Sequence, residues 1–213
     1  MFPVDGWPRR LLFAQGLPIA AALQGLEVLH ASAVDVDDRT IGIAGPSTAG
    51  KTTLAVALVL AGATLLADDV VALDLTKRGA RIHAGVRVAN VTSDQAGRLA
   101  TTCGARLVGR TDKAHVLMPP APSPRPFSAL IFLERNQPVI DVEFERLDPP
   151  EPWRILGSTF VYHVTSAQRR IRQLEIASEL VRHTPMLRVR TPSGMDPDVL
   201  AAELRSRLDE LVT

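Results

Sequence analysis

A glycine-rich stretch at residues 45–52, GPSTAGKT, has the residue types and spacing of a loop that binds nucleotide phosphates. It has glycine at both required positions, five residues apart, and then lysine followed by threonine, and it lies between an apolar strand and an apolar helix. The glycines permit backbone turns that aim successive N–H groups at a phosphate, and the helix N-terminus adds its dipole. The predicted phosphate-binding residues are Gly45, Pro46, Ser47, Thr48, Ala49, Gly50, Lys51, Thr52 and Thr53.

The last residues of this stretch predict that the ligand is a nucleotide bound together with Mg²⁺. Lys51 supplies a positive charge for the β- and γ-phosphates, and the hydroxyl of Thr52 is a ligand for Mg²⁺. The alternative is an ordinary glycine-rich turn. The complete pattern and its place between a strand and a helix favour phosphate binding.

Two adjacent acids, Asp68 and Asp69, follow one strand after the loop's helix. Such a pair alone is most often a solvated turn. Here its strand should end at the same edge of the sheet as the loop, where ligands bind in α/β proteins. One carboxylate near a metal ion and another near an acceptor hydroxyl is the arrangement that phosphoryl transfer needs.

A histidine, His30, stands in the apolar run LHASAV at residues 29–34. A single histidine in such a run is usually a core residue. Its strand directly precedes the strand that carries the loop, so His30 could contact one of the aspartates and set its proton affinity.

The elements that must position these residues alternate between strands and helices. We expect a buried helix at 9–26 and helices at 51–62, 93–103, 166–183 and 197–212. We expect strands at 26–36, 40–45, 80–88, 113–119, 128–135, 139–147 and 186–190, with 63–75 forming two strands that break at the aspartates. Residues 101–113 and the proline-rich 119–126 are predicted as loops at the rim of the site. The pattern predicts a single α/β domain over 1–213, with a nucleotide core at 27–75 and a C-terminal helical part at 149–213.

Composition narrows the function classes. The 213 residues are 46% hydrophobic, which suffices for a full core, and the formal net charge is +1. This balance gives no electrostatic reason to expect nucleic acid or an anionic membrane as a partner. No apolar run reaches the roughly 18–20 residues of a membrane span, and the single cysteine, Cys103, fits a core position in a reducing compartment. We therefore expect a cytoplasmic protein.

The segments LHASAV and GPSTAGKTTLAVALVLAGATLLADDVVAL, over roughly residues 27–75, resemble the catalytic domain of HPr kinase/phosphorylase and its shorter relatives. The resemblance implies a fold akin to phosphoenolpyruvate carboxykinase, not a Ras-like one, and ATP-dependent phosphorylation of a hydroxyl, usually of serine. By the family's pattern, Asp68 would be the base on the acceptor hydroxyl and His30 would support it. Asp69 would help hold the metal ion with Thr52.

Three departures separate this sequence from the bifunctional enzymes of that family. Thr53 stands where the bifunctional enzymes have an acidic residue, and the signature E-x-R-G-x-G is absent between Thr76 and Pro119. His30 also lies too near the start for the family's separate N-terminal domain. What remains resembles short kinases encoded near peptide-modifying enzymes, as in lasso-peptide pathways. We therefore expect the acceptor to be an accessible Ser or Thr of a peptide or protein, and the sequence leaves open whether the chain forms a homo-oligomer.

Alternatives remain at this stage. They are a kinase for a small-molecule hydroxyl, a nucleotide hydrolase and a non-catalytic nucleotide sensor, the last disfavoured because a sensor needs no base.

The cations that could neutralise the transferring phosphoryl group are Arg98, Arg106, Arg110 and Lys113, with Lys113 the first choice. The residues predicted to be structural or exposed are His83, His115, His163 and His183. The residues predicted to pack in the core or beside adenine are Trp7, Trp153 and Tyr162.

Overall fold

The computed structural model describes residues 15–77, 79–160 and 166–212. Its helices are α1 (Leu17–Leu23), α2 (Lys51–Leu60), α3 (Ser93–Cys103), α4 (Pro152–Gly157), α5 (Ala167–His183) and α6 (Pro197–Val212). Its first seven strands are β1 (Glu27–Leu29), β2 (Ala31–Val36), β3 (Arg39–Ala44), β4 (Thr64–Ala67), β5 (Val71–Thr76), β6 (Gly79–His83) and β7 (Val88–Val91). The remaining strands are β8 (Arg106–Arg110), β9 (Ala114–Leu117), β10 (Arg125–Glu134), β11 (Glu143–Arg146) and β12 (Met186–Arg190).

In the described part of the chain, a nine-stranded mixed sheet has the order β1-β5-β6-β10-β3-β2-β4, with β12 beside β10 and β11 beside β12. The long strand β10 joins the part of the sheet that contains β1, β5 and β6 to the part that contains the other strands. Its first residues pair antiparallel with β6, and the rest pairs parallel with both β3 and β12. Because β2 is antiparallel to both β3 and β4, these two run in the same direction. The carboxyl ends of β3, β4 and β10 therefore lie at one edge of the sheet.

Two apolar clusters cover the two faces of this sheet, because successive side chains of a strand point to opposite faces. In β10, Ile131 and Leu133 belong to the cluster that packs against α2 and α6. Leu130 and Phe132 belong to the cluster that contains Ile176 of α5. Helix α2 is buried along most of its length, since it lies between the sheet and α6. The helix that follows the glycine-rich loop is therefore held firmly in the core.

The predicted α/β fold class is confirmed, and the helices at 51–60, 93–103, 167–183 and 197–212 lie where the sequence places them. Several strand limits were wrong. The predicted strand 26–36 is interrupted at His30, 80–88 ends at His83, and 139–147 is reduced to Glu143–Arg146. The proline-rich stretch 119–126 is a loop only up to residue 124, because β10 begins at Arg125.

Residues 101–113 are not the rim loop that the sequence predicts. They contain the end of α3 and strand β8, which belongs to a separate three-stranded sheet in the order β7-β9-β8. Within the predicted helix 9–26, residues 17–23 are helical, but only Pro18 of α1 is buried, so the expectation of a buried helix was wrong for this part. Its first residues lie outside the described ones. Among the described helices, none has the length and apolar character needed to cross a membrane.

Candidate active site

The glycine-rich loop connects the end of β3 to the start of α2. Gly45 passes so close to β10 that a Cβ atom there would lie 2.6 Å from the carbonyl oxygen of Leu133. Gly50 is the N-cap residue of α2 and has a φ of 92°, which residues other than glycine rarely adopt. Thr48 has a φ of 67°, an uncommon value for a β-branched residue. The close approach at Gly45 and the positive φ at Gly50 therefore both require glycine. The loop lies directly in front of the N-terminus of α2.

Lys51, the first residue of α2, reaches back across the loop. Its Nζ donates hydrogen bonds to the carbonyl oxygens of Gly45 at 2.9 Å and Pro46 at 3.0 Å. Burial lowers the pKa of Lys51, and the negative charges of Asp69 and Asp68 oppose that effect. The ammonium group is thus held at the loop, close to both aspartates.

Asp68 is a buried carboxylate, only 4% exposed, at the carboxyl end of β4. The hydroxyl of Ser32 donates to its Oδ1 at 2.6 Å, and the hydroxyl of Thr52 lies 3.0 and 3.1 Å from its two oxygens. Burial raises the pKa of Asp68 from 3.8 to about 6; nearby Asp69 raises it further, while the hydroxyls of Ser32 and Thr52 lower it. The predicted metal ligand Thr52 therefore lies against Asp68, and sequence reasoning did not identify Ser32.

Asp69 has a different environment although it is the next residue. It is exposed and has a φ of 63°. On either side of it, the N–H of Asp68 donates to the carbonyl of Val86, and the N–H of Val70 donates to the carbonyl of Asp68. The turn at the aspartates thus directs one carboxylate into the protein and leaves the other at the surface.

His30 lies between β1 and β2 and supports this turn. Its Nδ1 is 3.2 Å from the main-chain oxygen of Asp69, and its own N–H donates to the carbonyl of Ser158 at 2.7 Å. Burial and the charge of Lys51 lower the pKa of His30, although Asp69 opposes this, and the lowered pKa favours the neutral imidazole. His30 therefore contacts the main chain of Asp69, and within the described residues its hydrogen bonds go to neither carboxylate.

A magnesium ion fits this set of groups only together with a nucleotide. Within the described ranges, no three His, Cys, Asp or Glu side chains are grouped so that they could hold a metal ion by themselves. Mg²⁺ in nucleotide sites is bound by one or two protein oxygens and by the phosphates of the substrate. The Thr52 hydroxyl, with carboxylates nearby, satisfies that requirement.

A cavity of about 580 Å³ opens beside the loop. It is lined by residues 45–49 of the loop, by residues 132–137 at the end of β10, and by Arg154, Gly157 and Ser158. Arg154 donates to the carboxylates of Glu134, at 2.7 Å, and Glu151, and its guanidinium lies over the ring of Phe132. The size is within the usual range of small-molecule sites, about 300–1,000 Å³.

The four cations proposed from the sequence lie on α3, on β8 and in the turn before β9. Arg98 forms an ion pair with Asp198 of α6, and Arg110 donates to Ser93. Arg106 and Lys113 are exposed. The cavity beside the loop is lined instead by Arg135 and Arg154, which the sequence analysis did not single out. The sequence signal that could have found Arg135 is its position at the carboxyl end of the apolar strand ALIFLER.

The comparisons with known proteins give a distant likeness to solved structures. No family model matches the chain, and no curated protein matches it. Among solved structures, the fold is similar to the Hpr(Ser) kinase/phosphatase from Coxiella burnetii, with a TM-score of 0.45 and 13% sequence identity. The likeness covers 86% of this chain and 97% of that one. At this distance it assigns neither a family nor an activity.

The other residues named from the sequence lie in ordinary structural surroundings. His83 is within ion-pair distance of Asp74, and His183 of Glu179. Cys103 is half-buried and donates to the carbonyl of Leu99. Trp153 is 63% exposed, so of the two places predicted for it, the core was wrong, and a place beside adenine stays a prediction. The residues that lie outside the described ranges are Trp7, Tyr162 and His163.

Proposed function

We propose that this protein is an Mg-ATP-dependent kinase that transfers the γ-phosphoryl group to a hydroxyl, most favourably that of Ser or Thr in a peptide or protein. One observation carries the proposal. The loop's Thr52 hydroxyl is within hydrogen-bond distance of Asp68, a buried carboxylate whose pKa is raised to about 6. A carboxylate that still takes up a proton close to neutral pH is suited to accept the proton of an acceptor hydroxyl.

The loop provides the groups that would bind the phosphates. The N–H groups at the start of α2 point into it, and Lys51 would exchange its two main-chain carbonyl partners for phosphate oxygens. Thr52 and Asp69 would hold Mg²⁺ with those oxygens, and the ion would neutralise charge that develops on the phosphates. Because Asp69 is exposed, its carboxylate can take this position without displacing core residues.

Asp68 is proposed as the general base. A carboxylate with a pKa of about 6 is ionised at pH 7 and still binds a proton better than an ordinary aspartate does. It takes the proton of the acceptor hydroxyl while the acceptor oxygen bonds to the γ-phosphorus and the bond from that phosphorus to ADP breaks. His30 acts as a positioning residue, since it holds the main chain of Asp69 and therefore the turn that carries both acids.

The acceptor is proposed to be a peptide because Asp69 stands at the protein surface, where an extended chain can reach the site. A second candidate is a kinase for a small-molecule hydroxyl, and it is favoured by the cavity of about 580 Å³ beside the loop. The two candidates share the chemistry at Asp68 and differ only in where the acceptor is bound.

The test is transfer of labelled phosphate from γ-labelled Mg-ATP, with Lys51→Ala as the matched inactive control. A library of Ser- and Thr-containing peptides and a panel of small alcohols, sugars and nucleosides are offered separately. Label on a peptide hydroxyl supports the first proposal, and label on a small molecule supports the second. Release of free phosphate at the same rate with and without every acceptor would identify a hydrolase and contradict both.

A further inference from the structure

The loop is flanked by a second cation besides Lys51. On the basis of the proposed nucleotide binding, we propose that Arg135 binds the phosphate chain of the nucleotide from the β10 side of the loop, opposite Asp68.

The sheet places Arg135 at the loop. Strand β10 runs parallel to β3 with Phe132 opposite Ala44, so the chain leaves β10 next to the point where the loop begins. Arg135 is the first residue after β10. A Cβ atom on Gly50 would lie 3.0 Å from both Cδ and Nη1 of Arg135, so its side chain lies against the N-cap of the loop's helix. It also lines the same cavity as residues 45–49.

The guanidinium of Arg135 has an unusual lack of partners. In the ranges 15–77, 79–160 and 166–212, it is the only half-buried arginine whose guanidinium makes neither a hydrogen bond nor an ion pair. The carboxylate of the preceding Glu134 does not serve it, because Glu134 pairs with Arg154. Partial burial of an unpaired cation costs free energy, and an anionic ligand at that position offsets the cost. The phosphates bound by the adjacent loop are such a ligand.

The order of the strands gives the two sides of the site different charges. In the order β10-β3-β2-β4, the acids follow β4, and Arg135 follows β10 on the other side of the loop strand. A phosphate chain lying across the loop would therefore have Lys51 beneath it, Mg²⁺ on the Asp68 side and Arg135 on the opposite side. A bidentate guanidinium suits such an oxyanion because its donors are arranged in a fixed fork.

Calorimetric titration of the full chain with Mg-ATP and with Mg-ADP tests this. Arg135→Gln removes the charge at similar length, and Arg135→Lys keeps the charge but removes the fork. The matched control is Arg146→Gln, an exposed arginine at the end of β11 that also makes no ion pair within the described ranges. We expect Arg135→Gln to raise the Kd of both nucleotides about tenfold, Arg135→Lys to give a smaller rise, and Arg146→Gln to leave both values within twofold.

The outcomes separate this inference from the proposed function. Wild-type protein that fails to bind Mg-ATP contradicts the proposed function and this inference together. If the wild type binds Mg-ATP and Arg135→Gln changes the Kd by less than twofold, only the role of Arg135 is contradicted. Thermal unfolding of each variant checks the fold, and if Arg135→Gln does not fold, an unchanged Kd in Arg135→Lys still overturns the role of the guanidinium fork.

Discussion

Replacing the buried carboxylate of Asp68 by an amide should make the folded protein more stable at neutral and alkaline pH. Asp68→Asn keeps the shape of the side chain and an oxygen that can accept from the hydroxyls of Ser32 and Thr52. It removes the charge that burial disfavours. A functional site can retain a group that lowers the stability of the fold. Replacing such a group is expected to increase stability.

The magnitude follows from the pKa. Folding raises the pKa of Asp68 from 3.8 to about 6, so the folded state binds the proton more tightly than the unfolded chain. The contribution of Asp68 to stability is therefore fully present below about pH 3.8 and is lost as the pH rises through about 6. At 1.36 kcal/mol per pKa unit, the loss approaches about 3 kcal/mol above pH 7. Asn does not titrate, so Asp68→Asn should gain up to about this amount at pH 8 and almost nothing at pH 4.

Urea denaturation, followed by circular dichroism at several values between pH 4 and pH 8, measures the difference. Asp69→Asn is the matched control because it removes an adjacent but exposed carboxylate, and it should change the free energy of unfolding by no more than about 0.5 kcal/mol. A variant that is less stable than the wild type at pH 8 would refute the reasoning. A gain that is the same at every pH would show that burial of the charge is not its cause.

The remaining predictions concern binding and turnover. Lys51→Ala should weaken Mg-ATP binding at least about tenfold by calorimetry, and equal binding by both proteins would exclude the loop as the phosphate site. Asp69→Asn should raise the Mg²⁺ concentration needed for half-maximal transfer, while Asp68→Asn should abolish transfer with nucleotide affinity retained; the reverse pattern would exchange the two roles. The rate should fall below about pH 6 as Asp68 becomes protonated, and His30→Gln should lower the rate without removing that limb. If the limb disappears in His30→Gln, it belongs to the histidine.

The sequence is sufficient to locate the loop and the acids because both depend on local patterns. The pattern GPSTAGKT is contiguous in the sequence, Gly50 is required by its own φ of 92°, and the helix that follows is apolar. The need for glycine at 45, by contrast, comes from the distant strand β10. The partners of Asp68 were harder to predict. Ser32 lies 36 residues before Asp68, and the two meet only because β2 and β4 pair in the sheet.

Arg135 and β8 show two other limits. The approach of Arg135 to the loop depends on the parallel pairing of β10 with β3, which no periodicity in the sequence reveals. Strand β8 was predicted as a loop. Four of its five residues are exposed, so the strand lacks the alternation of buried and exposed positions by which a half-buried strand is recognised.

The contact between Gly45 and the carbonyl of Leu133 sets how freely the chain can vary around the site. The loop begins against the main chain of β10, so no change of side chain at position 133 can relieve a larger residue at 45. A one-residue insertion in β10 would turn its alternating core residues to the wrong faces and would also withdraw the surface against which the loop is built. Changes in length should therefore be tolerated better in the exposed strand β8 than in the strand beside the loop.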